Sequence, residues 1–526
     1  MIFKGYPYLM KILFASHIPN QHIKDKDPLG IMCLSATLKR ANHEVRICSP
    51  EILETEQMLE DFPADVIAYS VATGEHAFYV DFNRVVKKRH KNLYSVFGGP
   101  HCTYNPDFIT ENFGVDAMAV GEVDLGFVDF INDLESGGNY HLTPNFHVRR
   151  EDEIYRNEES NLIPDLNELP YPDRSIIYDY YPKAAASKVK SFMSMRGCPY
   201  PCTYCHNHKY NEMMKGKGNI LRRRSVDHVV DEVLGVSEKY PLELVYFRDD
   251  SFNLGADWIE EFSEQYSKRV GIPFVCTSHL NAMTDSVARN LKKAGCVTVE
   301  VGVEAGSERV RNQILKRHMK DQTIIEGVKI LQSNGIQILA ENILGNPGTT
   351  LEEDLETFSL NKKIKVTYVN ARMLQPLYGT DIYKTALKEN ELTADDYKDG
   401  GEDKISYYTG DTIVKVTNAT ERKRLNKLIS VSVGLRLPLA LVKVLIRLPL
   451  ESIYSFVHIV YRGYAGSKMY PYRLSLKEKI STICDVLRMG RSNIDQRLGE
   501  SLNEFLEVEK LDNAKVHVDP NSGGLV

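Results

Sequence analysis

Two long blocks of the chain, residues 11–135 and 192–390, alternate short apolar runs with segments of helical period. In the first block the strand-like runs fall at 11–16, 45–48, 65–71, 94–97 and 116–120, with helices predicted over 29–41 and 77–89. In the second they fall at 191–195, 244–247, 274–277, 298–303, 337–343 and 366–373. Helices are predicted there over 226–240, 257–270, 285–294, 307–315, 321–334 and 350–360. Apolar strands separated by helices cannot pair as hairpins; they pair in parallel, with helices covering the faces. The fold class is therefore α/β: an N-terminal doubly wound parallel sheet, then a partial (β/α)6 barrel of the TIM type. In both architectures ligands meet the carboxyl ends of the strands.

A 526-residue chain suggests roughly three domains. The segmentation read from it is 10–140, a linker over 141–187, a core over 188–400 and a mainly helical C-terminal region over 401–526. Ser136-Gly137-Gly138 stand just before the linker, which contains short charged strands near 146–156 and Pro164, Pro170 and Pro172. Residues 428–461 are strongly apolar but interrupted by Arg436, Pro438, Lys443, Arg447, Pro449 and Glu451, so no uncharged run reaches a membrane-spanning length. Amphipathic helices over the barrel mouth are expected there; peripheral membrane contact through 428–461 is the alternative. A disordered tail is expected after Asp512. The N-terminus lacks a long apolar leader core, and Met10 is a candidate start. A net charge of −6 offers no global basic field for nucleic acid.

Nine cysteines are scattered except for Cys198, Cys202 and Cys205, spaced C-x3-C-x2-C directly after the first strand of the second block. Isolated cysteines with one cluster fit a reducing, cytoplasmic setting with one metal site. Three thiolates suit an iron–sulfur cluster with one open iron; with His206 or His208 they would also make a zinc site.

The C-x3-C-x2-C spacing with Tyr204 before the last cysteine resembles the signature of radical S-adenosylmethionine (SAM) enzymes. Four further stretches resemble that family's motifs in order: Asp249-Asp250 after the second strand, Glu300 to Ser307 after the fourth, Asn342 to Gly348 after the fifth, and Gln375 to Thr380 after the sixth. The first block resembles the cobalamin-binding domain that precedes the radical core in one large class, on Pro28-Leu29-Gly30, Tyr69-Ser70, Val96 to His101, and Val115 to Glu122. That class includes anaerobic magnesium-protoporphyrin IX monomethyl ester cyclase and B12-dependent radical SAM methyltransferases. The corrinoid loop Asp-x-His-x-x-Gly is missing: Ser16-His17-Ile18-Pro19-Asn20 stands in its place, so the lower axial ligand of cobalt is left open.

The resemblance implies three cofactors: a 4Fe-4S cluster on Cys198, Cys202 and Cys205, SAM, and cobalamin. It implies SAM contacts from Tyr204, Asp249, Asp250, Glu300, Glu304, Ser307, Asn342 and Gly345. It implies cobalamin contacts from Ser70, Thr73, Gly98, Gly99, His101, Gly121 and Glu122. The bland alternatives are a capping role for Ser307 and loop histidines bonded to backbone at 17 and 101. The implied activity is methylation of an unactivated carbon in a small-molecule or lipid-like substrate, with flavodoxin or ferredoxin as electron donor. Oxidative cyclisation, ring rearrangement, or a cluster- or corrinoid-based sensor without turnover are the alternatives. No second cysteine triad supports a methylthiotransferase. The basic run Arg222-Arg223-Arg224 is read as one inward arginine and two solvated ones, with phosphate or carboxylate binding as the rival.

Overall fold

The computed structural model describes residues 9–17, 27–393, 396 and 412–471. The tail expected after Asp512, the Met10 start's preceding residues and most of the loop after His17 lie outside them.

The first sheet contains β1 (Lys11–Ala15), β2 (Glu44–Cys48), β3 (Val66–Ser70), β4 (Tyr94–Gly98), β5 (Ala117–Ala119), β6 (Phe146–Arg150) and β7 (Glu153–Arg156), in spatial order β2-β1-β3-β4-β5-β6-β7. The first five strands are parallel, and β6 and β7 add an antiparallel edge. Strand β1 shows why its sequence is apolar throughout. Ile12 and Phe14 enter one core while Leu13 and Ala15 enter the core on the opposite face. The two short charged strands read as linker thus belong to this sheet. Their charge fits an edge, where Arg149 reaches back to the carbonyl of Val115 at 3.3 Å.

The second sheet contains β8 (Val189–Phe192), β11 (Leu244–Phe247), β12 (Phe274–Ser278), β13 (Cys296–Glu304), β14 (Gln337–Leu344) and β15 (Tyr368–Met373), all parallel, in order β8-β11-β12-β13-β14-β15. Between β8 and β11 lies a small antiparallel pair, β9 (Met195–Arg196) and β10 (Arg222–Arg223). The first barrel strand therefore ends at Phe192, and Met195, placed on it by the sequence pattern, starts the hairpin instead. The helix predicted over 307–315 is a π-helical turn, Val310–Ile314.

Residue alternation divides the barrel into an outer and an inner face. Val245, Phe247, Cys276, Val299, Val301, Ile338 and Ala340 face the helices. Val189, Leu244, Tyr246, Val275, Leu339 and Tyr368 face inward near the amino ends of the strands. The end of helix Glu451–Met469, with Ala465, Met469 and Tyr470, packs on this inner layer, and Thr298 Oγ1 donates to the Met469 carbonyl at 2.5 Å. The C-terminal helices therefore close the base of the barrel rather than its mouth. The reason is apolar: the base layer has no polar partner to offer solvent, whereas the upper inner face is polar. None of the helices among the described residues is long and apolar enough to cross a membrane.

Candidate active site

The cysteine loop leaves the barrel after β9 and runs into helix His206–Met213. Cys202 is buried, and Cys198 and Cys205 are half-buried. Burial lifts the Cys198 thiol to about 11 and the Cys205 thiol to about 12, with the Asp250 carboxylate adding to both. Cys202 Sγ accepts a hydrogen bond from Arg317 Nη1 at 3.3 Å. Among the described residues no three Cys, His, Asp or Glu side chains are already gathered at metal-ligand spacing. The loop supplies three thiol donors close in sequence. His206 and His208 do not join the cysteines. His206 stacks on Tyr104 at 3.9 Å, and His208 sits 3.6 Å from both Glu212 and Asp381. A structural zinc site with these histidines is not assembled.

The inner face above the apolar base is lined by Ser191, Arg248, Thr277, Glu300, Gly302, Glu341, Asn370 and Arg372, by register and alternation. Arg248 lies over the Tyr246 ring at 3.6 Å, and its Nε donates to Ser191 Oγ at 3.1 Å. Its Nη2 is buried and has no hydrogen-bond partner among the described residues. Asn370 Nδ2 donates to Glu341 Oε2 at 2.7 Å. A half-buried guanidinium whose buried Nη2 is unmatched, inside a polar chamber, is suited to an anionic group.

The residues singled out for SAM separate into two groups. Asp250 is exposed and acts electrostatically on the Cys198 and Cys205 thiols, so it faces the loop. Glu300 faces the chamber beside Tyr246. Asp249 is instead buried, accepting from Ser194 Oγ at 2.6 Å and Ser194 N at 3.1 Å. Glu304, in the left-handed region at φ 64°, is buried against Tyr204, whose hydroxyl donates to it at 2.8 Å. That pair holds the loop on β13 through side chains rather than presenting them to a ligand. Asn342 faces outward, donating to Ala340 O and accepting from Asn361 Nδ2 at 2.9 Å. The Gly345 N–H donates to Asp354 Oδ2 at 3.1 Å, also in the helix layer. Ser307 Oγ makes no cap; it lies 3.5 Å from Glu353 Oε1.

The carboxyl ends of the N-terminal strands bring Ser70, Thr73, Gly98, Gly99, His101 and Gly121 to one edge of the sheet. Ser70 is exposed at the end of β3. His101 is buried, bonded to Thr73 Oγ1 at 3.1 Å and stacked on His76 at 4.0 Å, so its partners are side chains rather than backbone. His17 instead uses its backbone N–H, donated to the Tyr79 hydroxyl at 2.9 Å. At Gly99, φ is 94° and an added Cβ would stand 2.7 Å from Val71 N, so this glycine permits a close backbone contact within the sheet. Glu122 is engaged by two arginines. It accepts from Arg196 Nη1 at 3.0 Å and from Arg222 Nη1 at 2.9 Å, the two arginines that pair across β9 and β10. Asp124 takes the rest of Arg196 at 2.7 and 2.9 Å. The basic run is therefore structural in full: Arg222 binds Glu122, Arg223 binds the Phe252 carbonyl at 2.6 Å, and Arg224 binds Glu232 at 2.5 Å.

These pairs, with the Tyr104–His206 stack, seat the strand ends of the first sheet against the cysteine loop of the second. The radical SAM superfamily model matches residues 192–360, and the B12-binding domain model matches residues 24–131. The chain is a radical SAM enzyme with a B12-binding domain. This radical SAM chain is 26% identical over 404 residues to an uncharacterized methyltransferase of Pyrococcus horikoshii, covering 75% of the chain and 84% of that protein. It is 21% identical over 381 residues to the anaerobic magnesium-protoporphyrin IX monomethyl ester cyclase of Synechocystis, covering 70% and 72%. Its fold resembles the cobalamin-dependent S-adenosylmethionine radical enzyme OxsB, with TM-score 0.64, 16% identity, and coverage of 98% of this chain and 81% of that one.

The family's cofactors are a 4Fe-4S cluster and SAM for the barrel and cobalamin for the sheet domain. The residues present fit them. Three thiols follow β9, the unmatched Arg248 Nη2 and Glu300 line the chamber, and Ser70 lies open at the sheet edge. The Tyr210 hydroxyl stands over Gly121 beside the Glu122 backbone, at the same edge. Arg248, Glu341, Asn370 and Arg372 were not singled out by motif, although alternation along β14 and β15 points to the last three. Arg317 lies in no recognisable pattern; only the fold brings it to Cys202.

Proposed function

We propose that this enzyme is a cobalamin-dependent radical SAM methyltransferase that methylates an unactivated carbon of a small-molecule or lipid-like substrate. The observation that carries the reading is the seating of the carboxyl edge of the first sheet against the cysteine loop, through Glu122, Arg196, Arg222 and the Tyr104–His206 stack. When bound, the cluster supplies the electron that cleaves SAM and cobalamin carries the methyl group to be transferred. The chain's own residues hold and orient. Cys198, Cys202 and Cys205 would hold the iron, and Arg317 donates to the Cys202 sulfur and positions it. Asp250 would bind an ammonium group beside the loop, and Arg248 a carboxylate in the chamber. The apolar base, closed by Met469 and Tyr470, excludes water from below. Reduced flavodoxin or ferredoxin serves as electron donor. The methyltransferase relative supports methyl transfer over cyclisation.

The test is an anaerobic assay after reconstitution with iron, sulfide and hydroxocobalamin, using titanium citrate as reductant. Both 5′-deoxyadenosine and S-adenosylhomocysteine are expected, and Cys202→Ala should abolish the first. If 5′-deoxyadenosine forms from a converted substrate without S-adenosylhomocysteine, the reaction is a cyclisation or rearrangement. No cleavage of SAM under any reductant contradicts the proposal.

A further inference from the structure

Sixteen large apolar side chains are exposed among the described residues, and ten of them lie between Leu435 and Tyr464. That concentration is far from the scatter expected of a soluble surface. On helix Glu451–Met469 the exposed members are Ile453, Phe456, Val460 and Tyr464, at successive steps of three, four and four residues. This spacing forms one stripe roughly 16 Å long. The opposite face of the same helix is buried through Tyr454, Ala465 and Met469. On helix Leu439–Leu445, Leu439, Leu441 and Val444 face outward while Val442 faces inward. Leu435, Leu448 and Leu450, in the connections, extend the same patch.

Charge distinguishes among the surfaces that could cover it. Residues 435–470 carry Arg436, Lys443, Arg447, Arg462 and Lys468 against the single acid Glu451, in a chain whose net charge is −6. Arg436, Arg447, Arg462 and Lys468 are exposed beside the apolar side chains. A second copy would set this cationic face against itself. We propose that the face docks on an anionic lipid surface, with the leucine, isoleucine and phenylalanine side chains at the acyl boundary and the cations at the headgroups. The attachment is peripheral, and the far end of the same helix, by plugging the barrel base, ties the catalytic barrel to it. This inference is independent of the methyl-transfer reading.

The test is co-sedimentation of the full chain with vesicles of phosphatidylcholine alone and of phosphatidylcholine with phosphatidylglycerol. Binding is expected to the second, and to weaken in high salt. The double variants Phe456→Ser/Val460→Ser and Arg436→Glu/Arg447→Glu should each weaken it roughly tenfold. Their melting temperatures should match the parent, because all four side chains are exposed. Failure to bind anionic vesicles overturns the proposal, as does equal binding to neutral ones. Concentration-dependent self-association abolished by Phe456→Ser/Val460→Ser would overturn it in favour of a second copy. Vesicle binding that appears only after residues 472–526 are removed would overturn it in favour of the chain's own C-terminal segment.

Discussion

The two aspartates after β11 have opposite fates. Asp249 is buried on Ser194 and Asp250 faces the thiols of the loop. Asp250→Asn is therefore expected to weaken SAM binding about tenfold or more with little change in melting temperature, by calorimetric titration. Asp249→Asn should instead destabilise by about 1–3 kcal/mol, since it disturbs a buried, fully used acceptor. A motif marks the dipeptide without telling which carboxylate faces the ligand. The same ambiguity misplaced Asn342. One residue earlier, Glu341 faces the chamber, while Asn342 bonds to Asn361 in the helix layer. Asn342→Leu should cost about 1–3 kcal/mol by leaving Asn361 poorly matched, with SAM affinity intact. Arg317 was illegible because its role depends on a turn, the π-helical segment before it, that brings it back to Cys202. Arg317→Gln should retain iron yet move the reduction potential of the cluster, measured by electron paramagnetic resonance during redox titration.

At the scale of elements, strands were legible where both faces are buried, because β1 and β3 then read as continuous apolar runs. The β9–β10 hairpin was not. Its two residues per strand carry no periodicity, and the run from 191 to 195, with Phe192, Met193 and Met195, crosses the true end of β8 without a glycine or proline to mark it. The edge strands β6 and β7 were visible as strands but not as members of the sheet, since their charge resembles that of a linker. Gly99 was legible as a glycine that matters, and it permits a close backbone contact within the sheet. Gly99→Ala forces a Cβ to 2.7 Å from Val71 N at φ 94°, and is expected to destabilise the N-terminal sheet by about 1–3 kcal/mol. Thermal melting of the apoprotein checks this without reference to cobalamin.

Across the whole molecule, the domain order and both parallel sheets follow from the alternating pattern, but the docking does not. It rests on ions far apart in sequence: Arg174 joins Asp27 at 3.1 Å and Glu232 at 2.8 Å, all buried, tying the first sheet to the barrel. Arg174→Gln should cost about 3–5 kcal/mol by leaving the buried Asp27 without its arginine, while Glu232 keeps Arg224, and should expose the junction to limited proteolysis. Buried histidines set the response to acid. Burial lowers His101 to about 3 and His279 to about 2, while unfolded histidine titrates near 6.5. The unfolded chain therefore binds more protons below pH 6.5, and stability falls as pH drops from there toward the folded values. Each of the two contributes a loss of about 1.4 kcal/mol per pH unit in that window, so melting at pH 5.5 should lie well below that at pH 7.5.

The most direct measurement of the central claim is the metal content of the anaerobically reconstituted chain, by elemental analysis alongside its visible spectrum. About four irons and one cobalt per chain are expected, with Cys202→Ala losing iron while keeping cobalt. Zinc in place of iron, with no cobalt retained, would contradict the account.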